Sequence, residues 1–378
     1  MQPNIKLGSI LGIEVGLHYS WIIIALLILL SLSGHFSTAN PQWSAAVVWS
    51  TAFVTALLFF AAIVIHELSH SIVAKTHGLK VRSITLFALG GVSQIENESP
   101  DARTEFWIAI AGPIASVVIG IVCLGLALSL GWNAAADPVR PGQAVLVWLG
   151  YINFLLAGFN MVPGFPLDGG RVLRGIVWWI TGNRDRATRL AMQAGQVVAY
   201  AFIIIGLIRF FGGTGLGGLW ISFIGWFLLE ASRSGQSQAG ITEMLRGIRV
   251  VDVMSRDNNN VSVDGRWNLQ TFADEKLLRS GLRCFVVIEN GNVAGLITPN
   301  EVRQLPHARW PYTTVDEVMR PLDQVRTVSP ETPVITALEI MGREDVNQLP
   351  VILHGALAGI ISRSNILQLI QTKTELTK

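Results

Sequence analysis

Long uncharged apolar runs, rather than alternating patterns, fill the chain as far as Glu230. They extend from Leu17 to Thr38, Ala45 to Ile65, Phe106 to Trp132, Ala144 to Leu167 and Leu190 to Ile208, with a shorter, glycine-rich run from Phe210 to Leu229. Crossing about 30 Å of hydrocarbon takes roughly twenty helical residues, so these runs predict six membrane-spanning helices. Beyond Glu230 charge returns, and no stretch there is long enough to span. Two segments outside the runs have strand character. Ile5 to His18 mixes Gly with Ile and Val and predicts a short extended segment. Val81 to Gln94 is rich in β-branched and aromatic residues, interrupted by Gly90 and Gly91. It predicts either an ordinary hairpin or an edge strand that receives an extended peptide, because strand addition supplies backbone hydrogen bonds without demanding a particular sequence.

The last third repeats itself. Asp252-Val253-Met254 returns as Glu317-Val318-Met319, Val287-Ile288 as Val351-Ile352, and Ala294-Gly295-Leu296-Ile297-Thr298 as Ala358-Gly359-Ile360-Ile361-Ser362. Two tandem β-α-β units fit this pattern, each with a helix opening after Thr298 or Ser362. The expected fold is therefore an α-helical polytopic membrane domain with a short membrane-associated β element, followed by a soluble α/β tandem. The boundaries predicted are 1–233 for the membrane domain, a polar, small-residue linker at 234–245, and repeats at 246–309 and 310–378.

Composition supports this class: 51% of residues are hydrophobic and only 14% charged, too apolar for an ordinary soluble protein of this size. The first run starts too late and is too long for a cleaved signal peptide, so it is expected to remain as an anchor. A net charge of +2 says little about partners, and no basic cluster points to nucleic acid, so none is expected as a partner. Cys123 and Cys284 form neither a disulfide framework nor a cysteine metal site. Lysine and arginine favour the cytoplasmic side. Lys6, the set Lys75, Lys80, Arg82 and Arg103, the set Arg171 to Arg189, and Arg233 to Arg249 alternate with loops holding no basic residue or only Arg140. This alternation predicts a multi-pass protein of the cell membrane with both termini and the repeat domain in the cytoplasm.

Against that background stands His66-Glu67-Leu68-Ser69-His70, at the end of the second run. Histidines four apart share one helix face within reach of a single tetrahedral metal ion, and the intervening glutamate can act as general base on water. With only seven histidines in the chain, such an arrangement arises by accident on the order of once in a hundred sequences or less. Two histidines supply half of a zinc coordination shell, so a third ligand is required elsewhere. Asp168 is the candidate, because it is the sole carboxylate between Gly142 and Asn183 and follows Asn160-Met161-Val162-Pro163-Gly164-Phe165-Pro166-Leu167. Irregular backbone of that kind at membrane depth is tolerated only inside protein or along a wet cavity. The competing reading makes Asp168 the cap of a helix that begins near Gly169.

Together the His66 to His70 motif, Asn160 and the Pro163 to Gly170 segment resemble the site-2 proteases, zinc metalloproteases that cut their substrates within the membrane. The likeness extends over roughly residues 1–233 and includes Ala111-Gly112-Pro113, similar to a packing motif of that family. It implies one Zn2+ per chain held by His66, His70 and Asp168, with Glu67 as the base and a membrane-anchored protein in the bilayer as substrate. Asn160 matches a position that stabilises the oxyanion or holds substrate, and its alternative is an interhelical hydrogen bond. Gly90 and Gly91, within Leu89-Gly90-Gly91-Val92, match a substrate-pairing strand. Asn153, one face away on the span of Asn160, is a weaker substrate-contact candidate and fits a structural role better.

The repeats resemble a pair of CBS domains over roughly 246–372, which implies an adenine nucleotide in the cleft between them or, alternatively, a role confined to packing or homodimerisation. Gly359-Ile360-Ile361-Ser362 with Asn365 matches the nucleotide signature. In the first copy Thr298 fits, but Pro299 follows it and Glu301 takes the later position, so one nucleotide per chain is expected, at the second copy. A reading from another class, a nucleotide-gated divalent metal transporter or channel, also places His and Asp in broken helices. It has no need for Glu67 between the histidines.

Overall fold

Each of the first five apolar runs becomes a helix in the computed structural model, which describes residues 4–87, 90–95, 99–256, 261–280, 284–344 and 346–376. The chain divides into two units, Met1–Gln236 and Ser237–Lys378.

In the first unit, strands β1 (Ile5–Ile10) and β2 (Ile13–Leu17) precede helices α1 (Ser20–Ala39) and α2 (Ala45–Thr76). Strands β3 (Val81–Phe87) and β4 (Gly90–Ile95) lead to α3 (Ala102–Ser129), α4 (Pro141–Asn160), α5 (Asp168–Thr181), α6 (Arg184–Arg209) and α7 (Leu216–Leu245), whose last residues belong to the second unit. Among the described residues, five helical segments are long and apolar enough to cross a membrane: 20–39, 45–76, 102–129, 141–160 and 184–213. Ile22, Ile23, Leu26, Leu27 and Leu30 of α1 are exposed, which suits a helix face turned to lipid rather than to water.

The structure revises four sequence expectations. The fourth run does not stay helical to Leu167. Helix α4 stops at Asn160 and a turn carries the chain to α5, because Pro163 and Pro166 lack the N–H a continuing helix needs. The sixth run is broken at 210–215, where Gly213 and Gly215 take positive φ of 96° and 58°, before α7 begins. The predicted linker at 234–245 is helical. It forms the end of α7, and its terminal Leu245 is buried in the core of the second unit. Ile5 to His18 is a complete antiparallel hairpin, and β2 pairs in parallel with β3.

The sheet order is β1-β2-β3-β4, with β3 and β4 antiparallel. Strand β4 is therefore an edge, as the peptide-receiving reading requires.

Helices α3 and α5 are joined by buried charge. Glu105 is fully buried, accepts from Arg171 Nε at 3.0 Å and from Arg174, and receives the Ser99 hydroxyl at 2.5 Å. Removing one partner of a buried ion pair leaves the others uncompensated and costs about 3–5 kcal/mol. Glu105→Ala is accordingly expected to lower the melting midpoint in detergent, and an unshifted midpoint would contradict this role.

In the second unit each repeat supplies a strand or bridge, a helix, and then an antiparallel pair followed by another helix. One sheet has the order β5 (Ser262–Asp264), β6 (Phe285–Glu289), β7 (Asn292–Ile297) and β8 (Arg320–Pro321), with the helix Pro299–Arg303 following β7. Strands β9 (Gln348–Leu353) and β10 (Ala356–Ser362) precede the helix Arg363–Leu376. The predicted β-α-β unit is thus extended by one antiparallel strand, and both predicted helix starts are correct.

Candidate metal centre

Helix α2 runs past its apolar segment and carries His66 and His70 one turn apart on a buried face. Helix α5 brings Asp168 to the same point from its own first turn, where the helix dipole favours a carboxylate. No side chain caps α5. Asp168 Oδ2 instead lies 3.1 Å from His66 Nε2 and 3.2 Å from His70 Nε2, and the two Nε2 atoms are 3.3 Å apart. The helix-cap reading of Asp168 is therefore set aside.

These spacings fit a cation. Ligands about 2.0–2.1 Å from a tetrahedral zinc stand roughly 3.3 Å from one another. The other ring nitrogens sharpen the fit. His70 Nδ1 lies 2.6 Å from the Ile108 carbonyl, to which it can only donate, so the Nε2 of a neutral ring presents a lone pair to Asp168 and His66. His66 Nδ1 is 2.9 Å from Ser116 Oγ. Such outer partners fix the tautomer and orientation of metal-ligating imidazoles. Three lone-pair donors converging in a buried place repel one another unless a metal ion, or a proton on an imidazole, lies between them. Gly112 of α3 leaves that place open: a Cβ there would stand 2.6 Å from His66 Nε2 and closer still to His70 Nε2.

Glu67 faces the neighbouring cavity. Ser93 of β4 donates to its Oε2 at 3.0 Å, and a Cβ on Gly91 would meet the Glu67 Cγ at 2.5 Å. Glycine at 91 thus lets the edge strand run directly beside the glutamate. His66, Glu67, Asp168, Gly90, Gly91 and Asn160 line one cavity of about 560 Å³, otherwise walled by apolar and aromatic side chains. Leu89 lies outside the described residues. Asn153 is not part of this wall. It is fully buried and its amide nitrogen donates to the Leu149 carbonyl one turn back, while its Oδ1 has no partner among the described residues. Ser93, Ser116 and Gly112 were missed as site residues, since small residues carry no chemical signature until their neighbours are placed.

The second unit contains a cavity of about 620 Å³ lined by Thr298, Asn300, Glu301, Arg320, Arg326, Glu344 and Ser364, among others. Ser362 and Asn365 are not in its wall. They bond each other instead, and Asn365 also accepts from the Ser362 N–H at 3.1 Å. The cleft thus takes residues from both copies, with Thr298 and Glu301, which form a capping box, in its wall from the first and Ser364, between Ser362 and Asn365, from the second. Burial pushes the Cys284 thiol in this wall up to about 12, so it stays protonated and offers no thiolate.

Residues 54–140 and 133–204 match peptidase family M50, and residues 315–372 match the CBS domain. A relative in Synechocystis sp. named as a zinc metalloprotease is 34% identical over 98% of this chain and 97% of its own length. The relative Rip3 of Mycobacterium tuberculosis, also named as a zinc metalloprotease, is 32% identical over 98% of this chain and 93% of its own. The solved site-2 protease from Methanocaldococcus jannaschii shares 31% identity over 61% of this chain and 94% of that one, with a TM-score of 0.42. The chain belongs to peptidase family M50 and is an intramembrane zinc metalloprotease of the site-2 protease type, followed by a tandem CBS domain.

Proposed function

We propose that this protease hydrolyses a peptide bond of a membrane-anchored protein near the cytoplasmic face, with His66, His70 and Asp168 holding the zinc. The convergence of two imidazole Nε2 atoms and one carboxylate oxygen beside Glu67 carries the reading. Zinc in such a shell supplies Lewis acidity to a water and to the scissile carbonyl. Glu67 accepts a proton from the attacking water and returns it to the leaving nitrogen as the C–N bond breaks. The amide of Asn160, at the end of α4 in the same wall, donates to the carbonyl oxygen as charge develops there. Edge strand β4 pairs with the extended substrate, which supports single-span substrates whose helix can unwind. The cytoplasmic placement rests on the distribution of lysine and arginine.

The test is cleavage of a single-span reporter by the full chain in detergent. Chelation is expected to abolish cleavage, and one equivalent of zinc to restore it. Cleavage that continues after the bound metal has been removed would overturn the metal assignment.

We also propose that an adenine nucleotide enters the CBS cavity beside Thr298 and modulates cleavage. Arg320 pairs with Glu301 at 3.2 Å and Arg326 with Glu344 at 3.6 Å, so the wall has little positive charge to spare for a triphosphate. AMP is expected to raise the melting midpoint more than ATP does at equal concentration. No shift with either would leave the cleft a packing feature.

A further inference from the structure

Helix α5 runs from the metal centre to the edge of the apolar layer. Its first residue, Asp168, lies with His66 and His70, beside which Gly112 of α3 also packs. Seven residues on, a Cβ at Gly175 would stand 3.2 Å from the Ala102 carbonyl and the Phe106 nitrogen, in the first turns of α3. Helix α5 is therefore antiparallel to α3, and its last turn reaches the level at which the apolar run of α3 begins, at Phe106. Gly182 ends it in a left-handed conformation, with φ of 65°. Helix α6 then returns alongside, and its Ala191 carbonyl accepts from the Phe165 N–H at 3.2 Å, in the turn that precedes Asp168.

The tip of this helical pair exposes apolar and basic residues together. Ile176, Trp179 and Ile180 share one helix face, which Gly169 and Val172 bury nearer the metal. At the tip that face is uncovered, with Trp179 67% and Ile180 79% exposed. Arg184, Arg186 and Arg189 follow, against the single carboxylate of Asp185. Arg186 and Arg189 are exposed, and Arg184 Cζ lies 5.4 Å from the centre of the Trp178 ring. Tryptophan suits the boundary between hydrocarbon and water, where its ring is half in each, and guanidinium groups pair with phosphate. We infer that the α5–α6 tip is a docking surface for anionic phospholipid. Ile176, Trp179 and Ile180 enter the boundary between headgroups and acyl chains, and Arg186 and Arg189 bind headgroup phosphates. The eleven helical residues from Asp168 to Trp179 cover about 17 Å, so this contact holds the metal centre within that depth of the headgroups.

The test uses the full chain in phosphatidylcholine nanodiscs, with Cys284→Ser and with Ile180→Cys carrying a bimane label; Cys123 is buried. A nitroxide beside the headgroup is carried, at equal mole fraction, on phosphatidylglycerol or on phosphatidylcholine. Both lipids are expected to quench the label and iodide in the water to leave it bright. Phosphatidylglycerol should quench about fivefold more strongly, the scale of one arginine beside an anionic headgroup. Adding Arg186→Gln and Arg189→Gln should make the two lipids equal, with zinc content unchanged. Equal quenching with both arginines present would overturn the choice of an anionic lipid. Quenching by iodide in place of lipid would overturn the contact altogether. So would a label reached by neither, because protein would then cover the tip, from a second copy or another part of the chain. Should the double arginine variant fail to assemble, the ratio with both arginines present decides alone. The readout needs no turnover, so Glu67→Gln is expected to quench identically, and failure here leaves the peptidase reading standing.

Discussion

Glu67→Gln is expected to keep one zinc per chain and to lower reporter cleavage by about a thousandfold or more, the scale of a positioned general base. The substitution is close to isosteric, and the geometry shows why it isolates one function. The amide oxygen of Gln can still accept from Ser93 Oγ, which now donates to Glu67 Oε2 at 3.0 Å. The side chain still has to fit against Gly91, where volume is tightly limited. His66, His70 and Asp168 form the ligand cluster without Glu67. What disappears is the ability to take a proton from water. Metal analysis beside reporter turnover checks this, and turnover within a factor of about ten of wild type would remove Glu67 from the role of base. Zinc lost together with activity would instead make it part of the metal shell.

How much of this centre could be read in the sequence depended on whether a residue announces its chemistry. His66, Glu67 and His70 do so through their spacing alone, and Asp168 through its isolation among apolar residues. The irregular turn before Asp168 was visible in Pro163 and Pro166, although its effect in ending α4 at Asn160 and starting a new helix appears only in the structure. Asn153 shows the opposite case. A polar residue in an apolar span suggests function, yet its amide bonds to its own helix. In the CBS region the signature at Ser362 and Asn365 is intact, but these two side chains bond each other while Ser364 between them lines the cleft, a detail of packing that local spacing does not encode. The 234–245 linker, read from its small polar residues, is helical, and Leu245 at its end is part of the core of the second unit.

Gly112 extends this argument, because its contribution is space. Gly112→Ala is expected to abolish zinc binding, and cleavage with it, in a chain that remains folded. In a helix interior Ala is favoured over Gly by roughly 1 kcal/mol, so α3 itself should gain from the change. The loss must then come from the added methyl, which would stand 2.6 Å from His66 Nε2 and nearer still to His70 Nε2. Those distances are close to zinc–nitrogen bond lengths of about 2.0–2.1 Å, so the methyl occupies the volume in which the ion must sit. Retreat of the two imidazoles is resisted by their bonds to Ser116 and to the Ile108 carbonyl, both on α3, the helix that carries Gly112. Gly125→Ala is the matched control, since a Cβ there meets nothing within 4 Å on the same helix. It should bind zinc as wild type does and melt no lower. Metal content and circular dichroism of the two variants decide the matter: zinc retained in Gly112→Ala at wild-type stoichiometry would mean that the ion lies elsewhere among the three ligands than the lone pairs indicate.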